Sequence, residues 1–343
     1  MAKKDELPKF LNEYLEHSAT ILNKSKGTVA EYSYDLAHFF RFLRYRYNNN
    51  VVPDDIINPD NLSFPEIIKI IDITKLHESI IQKINIDDIH AFLYYLKDSY
   101  NVGPATIARR ASSIRSFFKY QVKTVNRLEN NPASNLETPK IPKKLPVHLT
   151  LDESIRLIKA AETPSHNPNT SDKNVERNTA IITLFLNCGM RLNELIGINI
   201  SDINFNENKL RIWGKGNKER ELFLNNACIK AINSYLKVRP TQDIEPKDKD
   251  ALFLSERKRR VSRRTVQYIV ENELAKAGIN TKKYSTHKLR HTAATLMYQH
   301  GNVDIRALQK VLGHESIGTT EIYTHLSEKQ VKEALENNPL ANM

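Results

Sequence analysis

Four prolines fall within residues 130–146, NNPASNLETPKIPKKLP, among small polar side chains and a basic end. Proline fixes φ, offers no N–H, and pushes the residue before it out of the helical region. A stretch punctuated this way neither continues a helix nor joins a central strand, so it reads as an exposed linker. It cuts the 343 residues into two parts of domain size. The expected organisation is a helical domain over 1–138, a linker over 139–146 and a second domain over 147–343. Apolar residues make up 40% of the chain, enough for a core in each part.

Ahead of the linker the apolar residues recur at three- and four-residue spacing. Val29, Tyr32, Leu36, Phe40, Leu43 and Tyr47 mark one buried helix face, and Ile107, Ala111, Ile114, Phe118, Val122 and Val125 mark another. Ile89, Phe92, Leu93 and Leu96 predict a helix over 86–100, with Asp87 or Asp88 as its N-cap. Residues 5–22 predict a further helix, and 50–85 a loop with one or two helices. After the linker, Thr150 with Glu153 three residues on marks a helix start. A polar insert, ETPSHNPNTSDKN, precedes a long helix near 175–188. In KLRIWGKGNKERELFL (209–224) the period shifts to two around a glycine-rich turn, which predicts a β-hairpin. Helices resume from about 262. The expected fold class is therefore mainly α, with a helical N-terminal domain and a mostly α second domain holding a small antiparallel β-sheet.

The formal net charge is +11, which asks for a polyanionic partner, nucleic acid ahead of a membrane surface. Residues 1–140 hold 19 basic and 17 acidic residues, so most of the excess lies beyond them. The helix over 103–127 nevertheless carries Arg109, Arg110, Arg115, Lys119, Lys123 and Arg127 and no acidic residue. A solvated helix face usually mixes signs, and this unmixed face reads as phosphate-contacting. RKRRVSRR (257–264), with Arg263 and Arg264, reads as a second backbone contact; a solvated loop is the plainer alternative. Two cysteines, Cys188 and Cys228, are too few for a disulfide framework and suit a cytoplasmic protein. The N-terminus lacks the long apolar run of a signal peptide. AIITLFL (180–186) is too short to span a bilayer.

Four further segments put polar groups where a plain core would not want them. Arg191 follows an apolar helix and a glycine in AIITLFLNCGMR, so its guanidinium needs an anion, and Glu194, three residues on, is the structural candidate. Lys215 stands at the hairpin turn. His287 and Arg290 share a face at a helix start, where Thr286 is the N-cap candidate and free N–H groups favour an anion. His314 and Tyr323 lie in LGHESIGTTEIYTHL, where Gly313 can end one helix and Ser316 cap the next. No zinc spacing, HExxH pattern, Walker loop or nucleophile elbow accompanies them. Two arginines, two histidines, a lysine and a tyrosine fit transfer at a phosphodiester. Guanidinium and imidazole donors stabilise the charge, a tyrosine holds the bond covalently, and a lysine protonates the leaving alkoxide.

CGMRLNELIGI, GKGNKER, HKLRHTAAT and LGHESIGTTEIYTH, in this order, resemble the tyrosine recombinase (lambda-integrase) family, and within it the Xer recombinases. SSIRSFFKY and the linker are similar to the Xer core-binding helix and interdomain connection. The resemblance covers nearly the whole chain. It implies that Arg191 and Arg290 clamp the scissile phosphate, that Lys215 protonates the leaving 5′-oxygen, and that His287 accepts a proton or orients the nucleophile. His314 would bond a non-bridging oxygen, Glu194 would support the site, and Tyr323 would form a 3′-phosphotyrosine. Lys218 rivals Lys215, which better matches the family position. The 50–85 region and the 162–174 insert are longer than is typical, which leaves open a chromosomal or a mobile-element role.

The resemblance further implies a clamp of two domains on a double-stranded recombination site, and a homotetramer, or a heterotetramer with a second recombinase, on two such sites. Strand exchange would pass through a Holliday junction without metal, high-energy cofactor or membrane. The amphipathic tail LSEKQVKEALENNPL, with Val331, Ala334 and Leu335 on one face, would dock on a neighbouring subunit, or else pack on its own domain. A type IB topoisomerase-like enzyme and a catalytically silent DNA-binding protein of this fold are the competing readings.

Overall fold

The computed structural model describes residues 7–48, 56, 61–140, 147–164, 174–214, 219–301 and 303–313. The chain forms two compact units that divide between residues 143 and 144. Among the described residues no helix is long and apolar enough to cross a membrane.

The first unit contains α1 (Lys9–Thr20), α2 (Lys26–Tyr47), α3 (Phe64–Ile70), α4 (Ile80–Lys83), α5 (Ile86–Tyr100) and α6 (Pro104–Lys123). Its core is aromatic. Phe117 of α6 meets Phe40 of α2 with centroids 5.5 Å apart, and Tyr14 of α1 at the same distance. Phe39 of α2 meets Phe92 of α5 at 5.2 Å. Each such ring contributes about 1.5–3 kcal/mol by leaving water. Two helix starts differ from expectation. Asn85, not Asp87 or Asp88, caps α5, and the Asp88 carboxylate returns to accept from the Asn85 N–H. The stretch read as linker is also not all exposed, because Ala133 and Leu136 are buried in this unit's core. α6 has already ended at Lys123, and two apolar side chains between Pro132 and Pro139 still join the core.

The second unit contains α7 (Leu151–Glu162), α8 (Val175–Cys188), α9 (Leu192–Gly197), β1 (Ile203–Asn204), β2 (Lys209–Trp213), β3 (Glu219–Phe223), α10 (Asn226–Val238), α11 (Arg263–Lys276), α12 (Thr286–His300) and α13 (Ile305–Leu312). The sheet is antiparallel in the order β1-β2-β3. Thr150 caps α7 in a reciprocal pair with Glu153. α8 is apolar at every position of 180–186 but Thr183, is buried throughout that run, and packs against α7, α10 and α12, as a helix at the centre of a core must. α12 begins after Ser285 rather than Thr286, whose side chain is buried. Among the described residues the molecule is mainly α with one small sheet.

Candidate functional site

α8 ends at Gly189 with φ +57°, a left-handed value that glycine takes without strain. A Cβ there would lie 2.9 Å from Leu312 Cδ2 and 3.4 Å from Ala293 Cβ, so the glycine also lets α12 and α13 close on this turn. The Gly189 carbonyl accepts from Arg290 Nη1 at 2.7 Å, and Leu312 O at the end of α13 accepts from Nη2 at 2.7 Å. Arg290 is thus fixed between two helix ends by carbonyls that carry partial negative charge.

Two residues beyond Gly189, Arg191 opens α9. Its Nη1 donates to Glu194 Oε1 at 2.7 Å, and its Nη2 to Gly313 O at 2.9 Å. Glu194 also accepts from the Arg191 backbone N–H at 2.7 Å. Arg191 keeps 33% of its side chain exposed, while Glu194 keeps only 2%. The same carboxylate takes a two-pronged hydrogen bond from Arg220 of β3, Nη1 at 2.8 Å and Nη2 at 3.0 Å, and lies 3.9 Å from Arg290 Nη1. Burial pulls the Glu194 carboxyl up, but the hydrogen bonds from Arg220 and Arg191 outweigh it and hold the group below the usual carboxylate range. One buried carboxylate therefore organises three guanidiniums.

His287 lies in the first turn of α12, exposed, one turn before the buried Arg290. His291, on the same helix, is pushed down to about 4 by burial and by the positive charges of Lys288 and Arg290. Lys215, Lys218, His314, Tyr323 and the tail over 326–340 lie outside the described residues, as does most of the 162–174 insert.

The basic residues singled out in the first unit have mostly structural partners. Arg109 is paired to Asp35, at 2.6 and 2.9 Å, and to Glu31 at 3.0 Å. Arg110 is buried, with Nη1 2.8 Å from His38 Nδ1, and is no surface contact. Arg115 donates to the Leu136 carbonyl. Arg127 pairs with Glu13 and Glu78. The signs are mixed after all, but across helices rather than along one. Lys119 and Lys123 remain exposed. In the second unit Arg263 Nε donates to Asn193 Oδ1 at 2.6 Å, tying the start of α11 to α9. The exposed Arg264 lines a surface cleft of about 780 Å³ with Arg177, Arg257, Arg259 and Arg260.

Arg220 had not been singled out in the sequence, although the alternation that predicts the hairpin marks it. It stands opposite Ile212 in the β2–β3 register and two residues before Leu222, both buried. That face is covered, and a covered guanidinium requires an anion.

Residues 148–330 match the phage integrase family. The chain is 46% identical to tyrosine recombinase XerC of Caldanaerobacter subterraneus subsp. tengcongensis, over 97% of this chain and 88% of that protein. It is 35% identical to tyrosine recombinase XerD of Proteus mirabilis, over 71% of this chain and 75% of the relative. The crystal structure of the XerH site-specific recombinase bound to palindromic difH substrate superposes with a TM-score of 0.68. That likeness has 23% identity, covers 95% of this chain and 83% of that one, and speaks for the fold. The chain belongs to the phage integrase family, the tyrosine recombinases, and within it to the Xer type.

Proposed function

We propose that Arg191 and Arg290 hold the scissile phosphate of a DNA recombination site while Tyr323 attacks it. The chain is a site-specific DNA recombinase of the Xer type. The observation that carries the reading of the site is the charge balance around Glu194: three guanidiniums converge on one buried carboxylate. That leaves a positive excess which a phosphodiester satisfies. Tyr323 Oη displaces the 5′-oxygen and forms a 3′-phosphotyrosine, Lys215 gives the leaving oxygen its proton, and His314 bonds a non-bridging oxygen. His287 accepts the proton of the tyrosine or orients its oxygen. Attack by the freed 5′-hydroxyl of a partner strand reverses the step, so bond energy is kept and no cofactor is consumed.

Four protomers, identical or paired with a second recombinase, act on two double-stranded sites in the cytoplasm through a Holliday junction. The cellular task is chromosome dimer resolution or the movement of an element. Arg109, Lys119, Arg263 and Arg264 keep exposed surface and are the proposed backbone contacts. No observation favours relaxation alone or a silent DNA-binding role.

The test is covalent trapping on a nicked substrate that loses its 5′-fragment after cleavage. Wild type accumulates the protein–DNA adduct, and Tyr323→Phe accumulates none while still binding. Adduct formed by Tyr323→Phe would remove Tyr323 from the role. Arg191→Ala and Arg290→Ala cripple cleavage with binding largely kept; uniform loss of binding would make them anchors instead.

A further inference from the structure

Arg220 meets the carboxylate on which Arg191 and Arg290 converge. Its two Nη atoms take both oxygens of Glu194 at 2.8 and 3.0 Å. The same carboxylate receives the Arg191 guanidinium and backbone N–H and lies near Arg290. Gly313, whose carbonyl accepts from Arg191, lies against the Arg220 guanidinium. A Cβ on Gly313 would stand 2.7 Å from Nη1, 2.8 Å from Cζ and 3.0 Å from Nε. Arg220 Nε is buried with no hydrogen-bond partner among the described residues. A buried donor left unmet costs stability. Placing the fork squarely on the carboxylate thus takes precedence over satisfying Nε.

Position in the chain gives this geometry its meaning. Arg220 is on β3, five residues after Lys215 and across from Ile212. Gly313 directly precedes His314. One side chain therefore links the hairpin that bears the proposed general acid to the carboxylate that orients the arginines, and to the residue before a proposed phosphate ligand.

We propose that Arg220 is a positioning residue for strand cleavage. Its two-pronged grip fixes the Glu194 carboxylate, and through it the orientation of Arg191 and Arg290. This rests on the reading of the site given above. An arginine is required because only its planar fork meets both carboxylate oxygens at once; a lysine supplies the charge without the geometry.

Single-turnover cleavage of the nicked substrate by the full-length chain tests this, with Arg220→Lys as the principal variant and Glu194→Gln and the double variant beside it. Arg220→Lys keeps wild-type affinity for the site and a wild-type unfolding midpoint, and cleaves about 10²-fold more slowly, the scale of losing one oriented donor. The double variant is no slower than the worse single one, because both residues act through one carboxylate.

Two modified substrates separate this role from a strut. With a sulfur leaving atom, which departs without a proton because thiols are far more acidic than alcohols, Lys215→Ala recovers but Arg220→Lys does not. With a methyl replacing one non-bridging oxygen of the scissile phosphate, less charge needs stabilising and the Arg220→Lys deficit shrinks. Recovery of Arg220→Lys on the sulfur substrate would overturn the proposal, placing Arg220 with the acid. An additive double variant, or a loss that tracks the unfolding midpoint, would overturn it as well. Failure of the underlying reading shows separately, as an adduct in Tyr323→Phe or none in wild type.

Discussion

At the scale of the residue, two sites show how an unusual local choice follows from its surroundings. Gly313 ends α13 with φ +63°, and its missing side chain is what allows Arg220 to lie against it. Gly313→Ala adds both a left-handed strain of about 1–2 kcal/mol and a clash. The unfolding midpoint of the variant should fall by a few degrees, and adduct formation should slow more than the stability loss explains. His38 is the second case. Burial, then the charges of Arg110, Arg41 and Lys69, push its imidazole down to about 3, so it folds uncharged. Its folded value lies below its unfolded one. The stabilisation is therefore complete above pH 6.5 and is lost as pH falls from there towards 3. The first unit should lose about 1.4 kcal/mol per pH unit in that window. Hydrogen exchange of the α2 and α6 amides measures it, and His38→Gln, which keeps an acceptor for Arg110, should flatten the dependence.

At the scale of the element, the sequence was legible where one period ran uninterrupted. The apolar stripes of α2, α5 and α6, the capping pair of α7 and the hairpin all follow from spacing. What escaped was set by other elements. Asn and Asp neighbours compete for a cap, so Asn85 took the place that spacing alone assigned to Asp87 or Asp88, while α12 starts after Ser285, whose side chain makes no capping bond, and not after Thr286. Arg110 falls three residues after Ile107 and four before Ile114, inside the apolar stripe. Its spacing placed it in the core, but its charge suggested a surface, and the deciding partners, Asp35 and His38, lie on α2. In the site, Arg191 with Glu194 was readable because both stand in one turn. Arg220 was not, because its partner is in another element 26 residues away. These assignments part company under salt. Lys119→Ala and Lys123→Ala should each lower the slope of log affinity against log salt by about one, as lost phosphate contacts do. Arg110→Ala should leave the slope alone and cost about 1–3 kcal/mol of stability through its stranded buried partners.

At the scale of the whole molecule, the charge excess and the tail bear on how the chain acts with its copies. The +11 net charge lies mostly beyond residue 140, on the unit that holds Arg191, Arg220 and Arg290, so that unit contributes most of the electrostatic attraction to DNA. The family match ends at residue 330, and most of the tail helix predicted from the sequence follows it. As a helix its spacing would put Val331, Ala334 and Leu335 on one apolar face, and such a face gains by leaving water. If that face covers a neighbour, deleting 327–343 leaves each protomer able to bind a site and to form the covalent adduct, but breaks the communication that pairs two sites. Recombination of a plasmid carrying two sites should then be abolished, with single-site affinity, adduct formation and the unfolding midpoint kept. A tail that packs on its own domain gives the opposite pattern: the midpoint drops and adduct formation falls with it. Mixing the truncated protein with a Tyr323→Phe partner sharpens the distinction. An intact tail supplied by the inactive protomer restores cleavage-coupled pairing only if the tail acts on the neighbour.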